Sequence, residues 1–581
     1  MGEMTSDKPS QEKLWLKHYP PHSGDIEMPR RTIYEALCEV CDAHPNRKAL
    51  YYYGTSISYR ALRERVDALA DAFCGIGVRE GEMVSFLMPT TPESICAMYA
   101  LNKLGATPNF IDPRMDSERI LDAVSGVQSR LFVTIDFAFP KVQAIRDRLD
   151  VGKIVISSAA TTLPPALRIM WKLRHRVPDI PYGGDVLRWE ELLSFGKKAS
   201  AKKVPYRENS VAAITYTGGT TGTPKGVMLT NDGLNTMAQS FVLSGVDAAV
   251  GERFLEIMPI FASYGVGCGI HMPLSMGFEL VVIPKFTPEE LGELIRKYKP
   301  AHMMAVPSFY ERVMCSDAMR GADLSHLKTT GCGGETMNDD LEARFNAFLK
   351  EHGGKYPLSQ GYGMSEMSGA ATCCFSAVYK DGSAGIPLLA TTVGIFDQET
   401  GEELGYAQQG EICMTGRNMM LGYFNNEEET AQVMRRHADG KLWVHSGDIG
   451  YMDEDGFVFI KGRSKQIIIK FDGHKVFPVV LESMICKHEA VLECAVVGIP
   501  DPDHAQGEVP LAIVRTGNGA MTEKEQETLR RELLAMCDAQ CEERGRPADV
   551  VFVKELPYTA LHKHDYRKLR EQFYDHVIRA R

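Results

Sequence analysis

The sequence predicts an α/β protein of helix-covered sheets, divided into two or more domains. Three observations carry this. Short apolar runs alternate with helical patterns along most of the chain, the signature of sheets covered by helices. At 581 residues the chain exceeds what one hydrophobic core organises. Glycines stand at the ends of apolar runs, at Gly331, Gly333, Gly334, Gly361 and Gly363, where open α/β sheets place ligand loops.

Taken in order, residues 1–13 lack the apolar core of a signal peptide, and no apolar run approaches the ~20 residues of a membrane span. Residues 11–30 contain Trp15, Tyr19, Pro20 and Pro21, an aromatic-proline strap. Cys38 and Cys41 form a Cys-x-x-Cys pair, but apolar residues recur around them at helical spacing and no second pair stands at a suitable distance, so a buried helix face is expected rather than a zinc site. The 14 cysteines are scattered, which fits a reducing, cytoplasmic compartment and no disulfide framework. A helix is expected over 62–75, a strand over 83–88 and a helix over 92–104, stopped by Gly105.

Residues 157–203 read as an insertion. Within them, 165–178 carry Arg168, Lys172, Arg174 and Arg176 beside Leu167, Ile169, Met170, Trp171 and Leu173. The commoner reading of such a helix is one that packs its apolar side on the domain. The other is a helix lying on an anionic lipid surface, peripheral to the membrane. Beyond it, strands are expected over 211–214, 254–258, 279–283, 302–306 and 329–332, with helices over 288–298, 308–316 and 338–351 between the later ones.

The chain centres on Thr215 to Gly226. The strand over 211–214 runs into glycines, threonines and one lysine, the composition of a phosphate cradle: Thr217, Gly218, Thr220, Thr221, Gly222 and Lys225. It is not a Walker A loop, because Thr223 and Pro224 separate Gly222 from the lysine. A net charge of −11 argues against a general nucleic-acid binder.

This stretch resembles the signature loop of the adenylate-forming enzymes, which comprise acyl- and aryl-CoA ligases, peptide-synthetase adenylation domains and luciferases. Five further segments match that family in its order, and the chain is most like fatty acyl-CoA ligases over roughly 30–570. In Gly361-Tyr362-Gly363-Met364-Ser365-Glu366, the resemblance implies that Tyr362 stacks on adenine and Glu366 holds Mg²⁺, with Ser365 where the family has threonine. Gly333, Gly334 and Glu335 form the other adenine wall. The resemblance also implies that Asp448 binds the ribose hydroxyls, which suits a carboxylate that accepts two hydrogen bonds. By the same resemblance, Arg463 would contact the ribose, Lys465 falls at the hinge, and the loop at Gly473 would leave room for the pantetheine arm. Lys563, in Leu561-His562-Lys563, neutralises charge as the carboxylate attacks the α-phosphate.

The resemblance implies a large N-terminal domain of helix-covered sheets (1–462), a hinge (463–466) and a small, mobile α+β lid domain (467–581). It implies an acid–thiol ligase that uses ATP, Mg²⁺ and coenzyme A, making acyl-AMP from a medium- or long-chain fatty acid and passing it to CoA. A carrier protein's phosphopantetheine is the alternative acceptor, and aryl or steroid acids are alternative substrates. Phe261, Tyr264, Met303, Met304 and Phe309 are the expected acyl lining. Besides Ser365, three positions depart from the family: Ala262 and His562 stand where it often has histidine and usually glycine, and Val480 where it often has glutamate. Oligomeric state is not legible.

Overall fold

The computed structural model describes residues 7–175, 178–217, 224–335, 337–472, 474–504, 506–517, 521–541, 545–558 and 564–579. Two large sheets form the N-terminal part. One has seven strands in the order Val186–Arg188, Lys153–Ser157, Leu131–Ile135, Met83–Leu87, Thr107–Phe110, Val211–Thr217, Lys225–Thr230, parallel except for the last pair. The other has nine, with a parallel centre running Ser359–Tyr362, Thr329–Cys332, His302–Ala305, Arg253–Glu256, Glu279–Val282 and Lys48–Tyr52. Leu131–Ile135 and Glu279–Val282 are buried at every position, as strands covered on both faces must be.

Helix Pro92–Leu104 shows why the sequence signals hold. Thr91 caps its N-terminus in a reciprocal capping box with Ser94, Pro92 occupies the first turn, and the chain leaves through Gly105. It packs on helix Tyr59–Ile76, and both feed the large core that extends from Trp15 to Val458. Trp15 and Tyr19 anchor the N-terminal strap in that core, and Cys41 lies on the buried face of helix Ile33–Ala43 as the periodicity requires.

The segment read as an insertion is partly integral. Val186–Arg188 pairs with Lys153–Ser157 as the sheet's edge, and helix Trp189–Phe195 packs on Tyr59–Ile76. Only the stretch between those strands departs from the sheet. Its helix, Pro165–Arg174, is shorter than the basic pattern suggested. Leu167 and Trp171 pack on the core, whereas Ile169 and Leu173 do not, so the expected packed helix holds for one face only.

A third sheet, five strands from Thr391–Phe396 to Val458–Arg463, follows. The smaller C-terminal domain is a three-stranded sheet, Val491–Pro500, Glu508–Thr516 and Asp549–Phe552. Strand alternation sorts its cores. Cys494 and Val496 face helices Pro478–Ile485 and Glu523–Gln540, while Ala495 and Val497 face Leu569 of helix Tyr566–Phe573. Among the described residues no helix is long and apolar enough to cross a membrane.

Candidate active site

One continuous cleft, about 3610 Å³, runs between the large sheets and the C-terminal domain. Thr217 and Lys225 enter it from the ends of adjoining antiparallel strands, directly opposite each other in register. The residues that join them, including Gly218, Thr220, Thr221 and Gly222, lie outside the described residues. Lys225 pairs with Glu429 and sits over the Tyr423 ring, 5.1 Å from its centroid.

Glu366 stands beside that lysine, in the short turn Ser365–Met367 after strand Ser359–Tyr362. Its carboxylate accepts the Tyr423 hydroxyl proton. Burial pushes Glu366 above the usual carboxylate range, while Tyr423 and the Lys225 charge pull it back. A buried carboxylate oxygen lining a cleft is a donor that fits Mg²⁺, a hard cation bound through one or two carboxylates with substrate phosphates and water. Sequence reasoning missed Tyr423 and Glu429. Their only signal was a tyrosine after Gly422 and an acidic run at Glu427–Glu429, and neither says where it lands.

A second cluster in the cleft lining centres on Asp448, buried in strand Leu442–Met452. The Tyr362 hydroxyl donates to its Oδ2 at 2.6 Å, and Arg463 Nε lies 3.1 Å from Oδ1. Three predicted residues are therefore joined at Asp448, by one hydrogen bond and one ion pair. Gly334 takes φ +86° in the turn after strand Thr329–Cys332, a conformation that disfavours other residues, and with Gly333 and Glu335 it lines the cleft. Gly363 has a different reason from the one expected. A Cβ there would sit 2.4 Å from the Gly369 carbonyl oxygen, so the glycine admits the neighbouring chain rather than ligand. Tyr362, Gly363 and Ser365 all line the cleft.

Arg463 ends strand Val458–Arg463, and Lys465 sits in the single turn Ser464–Gln466 that follows; both line the cleft. Gln398 Nε2 donates to Ser464 Oγ at 3.0 Å and ties that turn to the five-stranded sheet. Gly473 lies outside the described residues. Its neighbours Ile468–Ile469 and Lys475–Val476 pair as a two-stranded ribbon, and Phe471 stacks on His504 at 3.5 Å. None of these ribbon residues lines the cleft. Lys563 and His562 are likewise outside the described residues, but the segment holding them is closed at its base by the Tyr558–His564 bridge, and both bridge residues line the cleft.

Of the five residues expected to line an acyl site, four line the cleft. Phe261, Tyr264, Met304 and Phe309 line the cleft, joined by Ala262, Ile257, Phe286 and Cys268. Met303 does not. Adjacent residues of strand His302–Ala305 face opposite ways, so Met303 fills the second core while Met304 reaches the cleft.

Comparison with known proteins follows the same division. Residues 37–424 match the family model described as AMP-binding enzyme, and 480–563 match its C-terminal domain. A long-chain-fatty-acid–CoA ligase of Bacillus subtilis (strain 168) is 31% identical over 571 residues, covering 97% of this chain and 98% of that protein. A 4-coumarate–CoA ligase of Narcissus pseudonarcissus is 31% identical over 459 residues, 78% of each chain. Among solved structures, ATP-bound MatB of Rhodopseudomonas palustris superposes with a TM-score of 0.79 at 23% identity, over 94% of this chain and 99% of that one. The anthranilate–CoA ligase AuaEII with anthranoyl-AMP gives 0.80 at 22%, over 95% and 98%.

Proposed function

The chain belongs to the AMP-binding enzyme family, and from that premise we propose that it is a fatty acyl-CoA ligase acting in two steps at the single cleft. AMP-forming acyl-CoA ligation follows from the family and from the relatives that share it. The fatty acid is the finer reading. Its support is the full-length likeness to a fatty-acid ligase and the apolar lining at Ile257, Phe261, Phe286, Met304 and Phe309.

In the first step a carboxylate oxygen of the acid attacks the α-phosphorus of ATP. The bond to the β-phosphate breaks and pyrophosphate leaves with its electron pair. Thr217, Gly218, Thr220, Thr221, Gly222 and Lys225 cradle the β- and γ-phosphates. Glu366 would hold Mg²⁺, which neutralises phosphate charge when bound. Tyr362, Ser365 and the Gly333–Glu335 turn take the adenine, Asp448 with Arg463 takes the ribose, and Lys563 steadies the charge that grows on the attacked phosphate. In the second step the CoA sulfur, its proton released to solvent, attacks the acyl carbon and AMP departs. Residues 467–581 turn about Lys465 between the steps, withdrawing Lys563 and bringing the Gly473 loop to the cleft.

The observation that carries this reading is that the Tyr362–Asp448–Arg463 cluster and the Lys225 and Glu366 side chains line one cleft. Pyrophosphate release across a panel of carboxylic acids tests the substrate. Medium- and long-chain fatty acids should give the highest kcat/KM. A preference for cinnamic- or benzoic-type acids would replace the fatty acid with an aryl one.

A further inference from the structure

Helix Pro165–Arg174 has two faces with different fates. Leu167 and Trp171 face inward, and the turn beneath is close enough that a Cβ on Gly54 would sit 3.6 Å from Pro164 and 3.8 Å from Leu167. On the other side Ile169 is 63% exposed and Leu173, one turn on, is 83% exposed. Met170 lies between the faces, partly exposed and lining the cleft. Phe137, from the end of a neighbouring strand, is 54% exposed and lines the same cleft. The cleft that holds Lys225 and Glu366 thus extends without interruption to an exposed apolar rim at this helix.

The stretch of sequence that carries the helix has formal charge of one sign. Residues 151–178 contain Lys153, Arg168, Lys172, Arg174 and Arg176 and no aspartate or glutamate, within a chain of net charge −11. Arg168 and Arg174 are exposed, and Arg168 is oriented by a hydrogen bond to the Thr161 carbonyl at 2.6 Å. Exposed leucine and isoleucine flanked by arginine match an interfacial surface in both respects, apolar contact with acyl chains and attraction to anionic headgroups.

We propose that this helix docks on an anionic lipid bilayer and that the cleft takes its acid directly from that bilayer. The proposal rests on the reading of the acid as a fatty acid, which partitions into membranes and has a low concentration in water. It assigns the surface-facing Ile169 and Leu173 to the bilayer and Met170 and Phe137 to the portal.

Vesicle co-sedimentation tests it. The full chain should bind phosphatidylcholine vesicles containing phosphatidylglycerol, bind pure phosphatidylcholine far less, and lose binding as salt rises. Ile169→Ser with Leu173→Ser should weaken binding about tenfold or more. Arg168→Gln and Arg174→Gln should each weaken it about fivefold. The serine variant should also slow thioester formation from vesicle-borne palmitate while leaving a water-soluble short-chain acid unchanged.

Equal binding by wild type and the serine variant, or equal binding to neutral vesicles, overturns the proposal. So does a dimer, seen by sedimentation velocity without lipid, that the same substitutions dissociate, because the face would then belong to a second copy. Loss of turnover with every carboxylic acid would instead count against the ligase reading, which separates the two failures.

Discussion

Asp448 illustrates how one side chain joins distant parts of the sequence. Both its oxygens are engaged, Oδ2 by Tyr362 and Oδ1 by Arg463, yet each carboxylate oxygen has a second lone pair for a ribose hydroxyl. The ribose is remote from the reacting phosphorus, so its binding is retained equally in ground and transition states. Asp448→Ala should therefore raise the KM for ATP in ATP–pyrophosphate exchange by about tenfold to a hundredfold, as expected for lost hydrogen bonds to a charged group. The maximal exchange rate should change much less. An unaltered KM would remove Asp448 from the nucleotide site. Residue identity at this centre was legible through the resemblance of short segments, in their order along the chain, to the adenylate-forming enzymes. The grip of Glu429 and Tyr423 on Lys225 was not, because it joins positions some 200 residues apart and no local pattern encodes it.

At the scale of elements, capping and periodicity carried the sequence reading furthest. Helix Pro92–Leu104 and the parallel strands follow from caps and apolar runs. The misplacement of Met303 and the partly exposed helix at Pro165–Arg174 share a cause. Both depend on which face of a correct element meets a neighbour, and the neighbour is supplied by the fold.

Helix Pro478–Ile485 adds a pH-sensitive contact. Glu482 Oε1 accepts from the Val496 amide at 2.7 Å and from the Tyr566 hydroxyl at 3.0 Å, which joins the two cores of the C-terminal domain. Withdrawal from water outweighs these bonds and pushes Glu482 from the ordinary 4.5 up to about 7. Below 4.5 it is protonated in both folded and unfolded chains. Between 4.5 and about 7 only the folded chain retains the proton, so its contribution to stability falls as pH rises and levels off above that window. Glu482→Gln keeps an acceptor oxygen and cannot ionise. Thermal unfolding between pH 5 and pH 8 should show a smaller loss of Tm in that variant than in wild type. Identical slopes would remove the residue as the source.

Over the whole molecule, a large N-terminal part and a smaller C-terminal domain meet at one cleft. The C-terminal domain presents Tyr558 and His564 to that cleft, while the ribbon around Gly473 does not line it. On the proposed mechanism, this is the side of the C-terminal domain that serves adenylation, since Tyr558 and His564 flank the segment assigned to that step. The division into a large N-terminal part and a smaller C-terminal domain was legible from the ordered set of motifs. The exposed apolar rim was legible only as one of two readings, since exposure is a property of the assembled surface.

The most direct test is to measure the two half-reactions separately in Lys563→Ala and in Lys465→Pro. Lys563→Ala should lower acyl-AMP formation by about a hundredfold to a thousandfold and leave thioester formation from supplied acyl-AMP largely intact. Lys465→Pro, which stiffens the turn, should do the reverse. Equal loss of both half-reactions in each variant would contradict a cleft that serves two steps by exchanging one face of the C-terminal domain for another.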